Sequence, residues 1–390
     1  MKNVAQTTAL VLSGGGAYGA FAVGIMKALF AGASPVTKYR PLEVGIFSGT
    51  SVGAFNSACM VGCVELALLD ASMRLERIWL ERIASRPGRC GQGAFRIRGN
   101  PVDYLDANCL RQPIEWAERV AQDTLAAGRY FIWRGANFLA SPASLLDRTA
   151  AALNFGSLVD ATPFQTLVRD TFLEEDVRRS SKRLHVAATN WSTGNAEYFS
   201  NEDFAGGRGY QAVMASAASP GILPPVTIGE STYVDGGVLD NTPLRTALKA
   251  GASELHVVYL DPAPILIPLP GEASTIDTLL RVYYLMLASK IKNDIETAGR
   301  INDGLRALRE FEAVGNVPTN AALAFAKVAS KLLQRNYHIS NIHRYFPKYA
   351  LGGDFGMLDF AIETIARIIR EGENVAMTHD CGESGCLLNE

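Results

Sequence analysis

The apolar positions at the start of the chain fall into short runs broken by glycine. Thr8–Ser13 (TALVLS) reads as a short strand, and Gly19–Phe30 as a helix turning Phe21, Ile25, Ala28 and Leu29 inward. Gly32 supplies a stop for that helix. Leu42–Phe47 is predicted as a second strand and Ser51–Val61 as a second helix. Strand, helix, strand, helix with short connections argues for a parallel α/β core.

The pattern loosens from about 82 to 162. Arg86, Arg89, Arg96 and Arg98 come with no acid between them, and Tyr130-Phe131-Ile132-Trp133-Arg134 interleaves aromatics with arginine. This stretch reads as a mainly helical insertion or cap. The core resumes at Leu184–Thr189 and Ala196–Phe199, a hairpin signal around a short polar loop. Thr232–Val234 and Glu254–Leu260 read as strands, with Asn241-Thr242-Pro243 opening a helix between them. Ile276–Phe311, Asn320–Arg335 and Leu358–Arg370 read as helices. The expected organisation is a core over 8–262, a helical extension over 275–375 packed on it, and a flexible tail over 378–390.

Composition narrows the class. The 390 residues carry 37 Lys plus Arg against 39 Asp plus Glu, a balance that gives no whole-protein attraction to nucleic acid. Asn3–Met26 and Val44–Val64 contain no charged residue at all. Each approaches the roughly 20 residues needed to cross a bilayer. Each is also interrupted by a polar, glycine-rich cluster, so two buried strand–turn–helix units explain them better than a span or a secretory signal. Six cysteines in a chain of this length do not make a disulfide scaffold, and a reducing cytoplasm fits. Cys59 and Cys63 fit core packing. Cys381 and Cys386 are compatible with a disulfide or a metal, but four-ligand zinc spacing is absent and no metal site is expected.

Three motifs carry chemistry. Gly49-Thr50-Ser51-Val52-Gly53 matches G-x-S-x-G between a predicted strand and helix, the context in which a strained turn projects a nucleophilic serine. The same residues also suit an ordinary turn with Ser51 as a helix cap. Gly14-Gly15-Gly16-Ala17-Tyr18-Gly19 likewise follows a strand and opens a helix. It satisfies G-x-G-x-x-G, but a dinucleotide site calls for an acid beyond the end of the second strand. Glu43 lies instead at that strand's start, and no Gly-Lys-Ser/Thr follows for a phosphate loop. Backbone N–H groups facing Ser51 would make an oxyanion hole. Asp235-Gly236-Gly237 sets a carboxylate at a strand end, where it can act as a general base if it reaches the serine. The histidines, His185, His256, His338, His343 and His379, have no motif of their own.

This ordered set resembles the patatin-like phospholipase family. The blocks Ala215–Pro220, Leu223-Pro224-Pro225 and Asp235–Pro243 are similar to that family's segments around its catalytic aspartate. The resemblance runs from about 9 to 262 and is weakest over the insertion. It implies a three-layer α/β/α core with a mainly parallel sheet. It also implies a Ser–Asp dyad of Ser51 and Asp235, with Gly14, Gly15, Gly16 and Ala17 as the oxyanion hole. Gly19, Gly49, Gly53, Gly236 and Gly237 support these motifs. The implied activity is cleavage of fatty acyl esters through an acyl-enzyme, with no metal or organic cofactor. Its partners would be a lipid or other acyl-ester substrate and no nucleic acid. The arginine run and the aromatics of the insertion suit peripheral contact with membranes, from a cytoplasmic location. One departure stands out: Tyr18 occupies a position that is usually Arg or Lys in the family. It motivates the alternative of a weak or inactive lipid-binding protein on the same fold. An α/β-hydrolase triad of Ser51 with a histidine is the third reading.

Overall fold

The fold was analysed in a computed structural model, which describes residues 7–85, 159–220, 222–260, 296–307, 340–352 and 356–388. It also describes positions 96–97, 117, 120, 121, 124, 125, 281, 282, 285 and 310. The chain runs β1 (Thr8–Leu12), α1 (Gly19–Phe30), β2 (Ile46–Thr50), α2 (Val52–Gly62) and α3 (Leu68–Ile78). A π-helical turn, Trp79–Ile83, prolongs α3. After β3 (Arg96–Ile97) and β4 (Val159–Asp160) come α4 (Thr162–Thr171), α5 (Glu174–Arg179), β5 (Arg183–Asn190) and β6 (Ala196–Ser200). Then follow α6 (Arg208–Ser216), β7 (Val226–Ile228), β8 (Ser231–Asp235), α7 (Leu244–Lys249), β9 (Glu254–Val258), β10 (Asn341–Tyr345) and α8 (Ile362–Met377).

Eight strands form the main sheet in the order β10-β9-β1-β2-β5-β8-β7, with β6 beside β5. From β10 to β5 all pairings are parallel, whereas β6, β7 and β8 pair antiparallel. The alternation in β1 explains the layers. Leu10 and Leu12 join the cluster under α1, α2, α3 and α8, while Ala9 and Val11 join the opposite cluster with Leu244, Leu248 and Leu305. A sheet covered on both faces is the three-layer α/β/α arrangement expected.

Several sequence expectations shift. The second strand was expected at Leu42–Phe47 but runs Ile46–Thr50, straight into the serine turn. Glu43 therefore precedes the strand. Helix α1 has the expected ends, yet every residue except Lys27 is buried, not one face alone. Its outer side is covered by α8, and two glycines make the crossing close. A Cβ at Gly24 would lie 2.0 Å from the Ile369 carbonyl oxygen, and one at Gly372 would lie 2.1 Å from that of Phe21. Lys27 bridges the layer, pairing with Glu76 of α3 at 2.7 Å and with Glu373 of α8. Helix α8 itself ends seven residues beyond the expected Arg370.

The C-terminal region is not purely helical. Asn341–Tyr345 adds a parallel strand to the sheet edge beside β9. Residues 378–388, expected as a flexible tail, fold back onto that edge. Leu387 and Ile342 exchange backbone hydrogen bonds of 2.8 and 2.9 Å. At the insertion, β3 and β4 form a short antiparallel ladder. The rest of the arginine run, the aromatics at 130–138 and the helix expected at Asn320–Arg335 lie outside the described residues.

Candidate active site

Strand β2 delivers the candidate nucleophile. It ends at Thr50, and α2 starts at Val52, so Ser51 alone makes the turn, at φ 55° and ψ −124°. A non-glycine residue held there stores strain of order 1–3 kcal/mol, and the neighbours must enforce it. The Ser51 N–H donates to Ser216 Oγ at 2.8 Å, and Ser216 Oγ donates to the Ala187 carbonyl at 2.6 Å. Small residues make the turn fit: a Cβ on Gly49 would meet the Gly53 carbonyl oxygen at 2.3 Å, and one on Gly53 would meet that of Leu12 at 2.3 Å.

The sheet register explains how Ser51 and Asp235 meet. On one edge of β5, β2 pairs as far as Thr50 with Ala187. The other edge is taken by β6, from His185 to Thr189. Strand β8 therefore occupies the β2 edge just beyond the end of β2, with Asp235 opposite Ala188. The two strand ends abut head to head on consecutive residues of β5. Gly236 allows the approach, since a Cβ there would lie 2.4 Å from the Ala187 carbonyl oxygen.

Ser51 and Asp235 line the same cleft, and the Ser51 hydroxyl is near enough to the carboxylate to favour its charged form. Asp235 is 2% exposed and Ser51 9%. Asp235 Oδ1 accepts the Gly237 N–H at 2.7 Å, and Oδ2 accepts the Ser219 hydroxyl at 2.6 Å. Burial pushes the carboxyl's proton affinity up, and the Ser219 hydroxyl, the Gly237 N–H and the nearby Ser51 hydroxyl pull it back down; the net direction is upward.

The glycine loop lies alongside. A Cβ on Gly14 would sit 3.0 Å from Ser51 Cβ. The Gly14 N–H was expected in the oxyanion hole, but it donates to Asn241, to the side-chain oxygen at 3.1 Å and the backbone oxygen at 3.2 Å. The amides of Gly15, Gly16 and Ala17 remain as candidates for that role. They head a single 3₁₀ turn, Gly16–Tyr18, where the first N–H groups have no partner within the helix. Gly19 packs on the serine helix, its Cβ position 2.3 Å from Val52 Cγ2. Tyr18, the departure from the family pattern, is buried in the core and does not line the cleft.

A cleft of about 820 Å³ opens over Ser51 and Asp235. Its walls are apolar: Phe55, Trp79, Phe164, Leu167, Leu223 and Met357 are among them. None of the described histidines lines it. His185, His256 and His343 belong to strands β5, β9 and β10, and His338 lies outside the described residues.

The family model for patatin-like phospholipase matches residues 10–248. The chain belongs to the patatin-like phospholipase family. Lipid acyl hydrolysis is the general activity of that family, and its α/β architecture is the one seen here. Among solved structures, the chain is similar to VipD from Legionella pneumophila, at 15% identity and a TM-score of 0.35. That match covers 95% of this chain and 66% of the other, so this chain spans just under two thirds of its length. No helix among the described residues is long and apolar enough to cross a membrane.

Three residues of this patatin-family site had no role assigned from the sequence. They are Ser216, which holds the Ser51 amide; Ser219, which holds the Asp235 carboxylate; and Asn241, which holds Gly14. The only signal was their presence in the segments similar to the family's aspartate region. The partners of Ser216 and Asn241 lie 165 and 227 residues away, and Ser219 reaches Asp235 across 16 residues that include a turn and two strands, so spacing alone does not pair them.

Proposed function

We propose that the protein is a serine lipid acyl hydrolase of phospholipase A or esterase type, with Ser51 as nucleophile and Asp235 as general base. The observation that carries this reading is the placing of Ser51, on its strained turn, and the buried Asp235 carboxylate together at the floor of one apolar cleft. Ser51 Oγ attacks the ester carbonyl carbon and passes its proton to Asp235. The carbonyl π electrons move onto oxygen, where the amides of Gly15, Gly16 and Ala17 stabilise them. Collapse breaks the carbon–oxygen bond, and the leaving alcohol takes the proton from Asp235. Water then attacks the acyl-enzyme, giving one proton to Asp235. Ser51 regains that proton as the fatty acid departs. The apolar walls suit an acyl chain, since each buried methylene contributes about 0.8 kcal/mol. In this reading residues 8–262 form the acyl-hydrolase unit, with α8 closing its helical layer.

A serine-directed fluorophosphonate tests the proposal. Labelling of Ser51, lost in Ser51→Ala, together with turnover of a fatty acyl ester, is the expected result. An unlabelled intact protein that hydrolyses neither short-chain esters nor phospholipids would instead be a lipid-binding member of the fold.

A further inference from the structure

At the sheet edge remote from Ser51, four side chains that the acyl-transfer chemistry does not use converge. His343 comes from β10, and His379, Cys381 and Cys386 come from the segment after α8. Their ligand atoms all lie within 4.8 Å of one another. His343 Nδ1 is 3.4 Å from Cys381 Sγ, and His379 Nε2 is 3.4 Å from Cys386 Sγ. A tetrahedral zinc with sulfur at about 2.3 Å and nitrogen at about 2.0–2.1 Å has a sulfur-to-nitrogen edge of about 3.5 Å. Both cysteines are free thiols.

The backbone presents these thiols inward by a compact turn. Asp380 Oδ1 accepts the N–H groups of Gly382 and Glu383 at 2.7 and 3.0 Å, and the Cys386 N–H closes back onto the Cys381 carbonyl at 3.0 Å. The Arg344 N–H donates to Cys386 Sγ at 3.3 Å. A backbone amide aimed at sulfur fixes the direction of that side chain, as outer-shell partners of metal ligands do. His343 has its second nitrogen, Nε2, 3.9 Å from Glu254 Oε1. That places a carboxylate behind a ligating imidazole, the usual outer-shell partner of a metal-bound histidine. Glu254 is held in turn by His256 Nε2 at 3.2 Å.

We propose that His343, His379, Cys381 and Cys386 form a structural Zn²⁺ site of the Cys₂His₂ type. Two thiolates and two imidazoles in tetrahedral array select zinc over magnesium or calcium, whose ligands are oxygens. Four protein ligands leave no open position for substrate or water, so the ion supports the fold and does not take part in the ester chemistry. In the sheet, β10 is three strands from β2, about 14 Å at the usual interstrand spacing. The sequence concealed the site because one ligand sits on a strand and three follow a helix, so their linear spacing matches no zinc motif. The ion would clamp the last described segment onto β10 and cover an otherwise open sheet edge.

The test uses the full chain purified from zinc-supplemented medium. Elemental analysis should find one zinc per chain in the wild type and in Ser51→Ala, and close to none in a Cys381→Ser, Cys386→Ser double variant. Glu254→Gln should weaken zinc affinity about tenfold or more in a chelator competition. Replacing zinc with Co²⁺ should give intense visible bands of tetrahedral cobalt and a thiolate charge-transfer band. His379→Cys should retain metal and strengthen that charge-transfer band, a readout that stands even if the double variant does not fold. A wild-type chain that binds no metal after zinc loading would overturn the proposal. So would a Cys381–Cys386 disulfide in its place, or zinc retained when both cysteines are replaced. None of these outcomes depends on Ser51 being a nucleophile.

Discussion

Ser219 donates its hydroxyl proton to Asp235 Oδ2 at 2.6 Å, and that bond sets the carboxylate between two opposing influences. Burial raises the pKa of Asp235, and the donated hydrogen bonds lower it. A general base works only when ionised, so activity should fall as pH drops through this raised value. The acid limb of kcat/KM should therefore lie above the ordinary aspartate pKa of 3.8. Ser219→Ala removes a bond that favours the charged form and should move the limb further up. A pH–rate profile in which the variant's limb stays put or moves down would contradict this account.

The same upward shift has the opposite sign for stability. A carboxyl whose folded pKa exceeds its unfolded one favours folding most at low pH, and loses that contribution as pH rises through the folded value. At neutral pH the ionised Asp235 thus opposes folding. Asp235→Asn should unfold at a denaturant concentration no lower than the wild type while losing about 10²–10⁴-fold in kcat. A variant that is both inactive and clearly less stable would argue for a merely structural aspartate.

Ser216 is completely buried and satisfies the Ser51 amide. Ser216→Ala leaves that N–H unpaired at a strained turn, at a cost of about 1–3 kcal/mol. The elbow can relax only by moving Ser51, so kcat should drop with little change in KM. Urea melts and steady-state kinetics on one preparation would read both effects; unchanged kcat would show the turn held by other contacts.

The α1–α8 crossing gives a prediction independent of chemistry. Alanine normally stabilises a helix by about 1 kcal/mol over glycine. At Gly372 the added methyl would lie 2.1 Å from the Phe21 carbonyl oxygen, which the backbone cannot tolerate without shifting. Gly372→Ala should therefore be destabilising by about 1–3 kcal/mol, contrary to propensity. Thermal unfolding of the variant checks the sign.

If the apolar cleft takes the acyl chain, kcat/KM on a series of 4-nitrophenyl esters should rise with chain length until the cleft is filled. The gain should be up to about fourfold for each added methylene, the equivalent of about 0.8 kcal/mol. A flat series would show that the chain stays in water.

Helix α1, the Ser51 turn and Asp235 were legible because each couples a strong local signal to a strand end. The position of β2 was less so. Its residues Ile46-Phe47-Ser48-Gly49-Thr50 include small and polar side chains, which pattern reading takes for a turn. They tolerate full burial because Ser48 Oγ bonds Pro243 O and Thr246 Oγ1, and Thr50 Oγ1 bonds Asp240 O. These partners lie about 190 residues away or more. Strand β10, with Asn341, His343 and Arg344 among five residues, likewise lacks an apolar run and is fixed by its pairing with β9. The all-round burial of α1 was invisible because the helix that covers it comes at the other end of the sequence.

That last arrangement bears on how the protein is made. At translation rates of about 5–20 residues per second, α8 leaves the ribosome on the order of tens of seconds after α1. Until then the nascent chain carries an uncovered apolar helix next to the segment that holds its serine. A growing chain in that state is a natural client for chaperones. The arrangement also postpones closure of the helical layer around the Ser51 turn until α8 has been made, so that a product terminated before α8 leaves α1 uncovered and is cleared as unfolded protein.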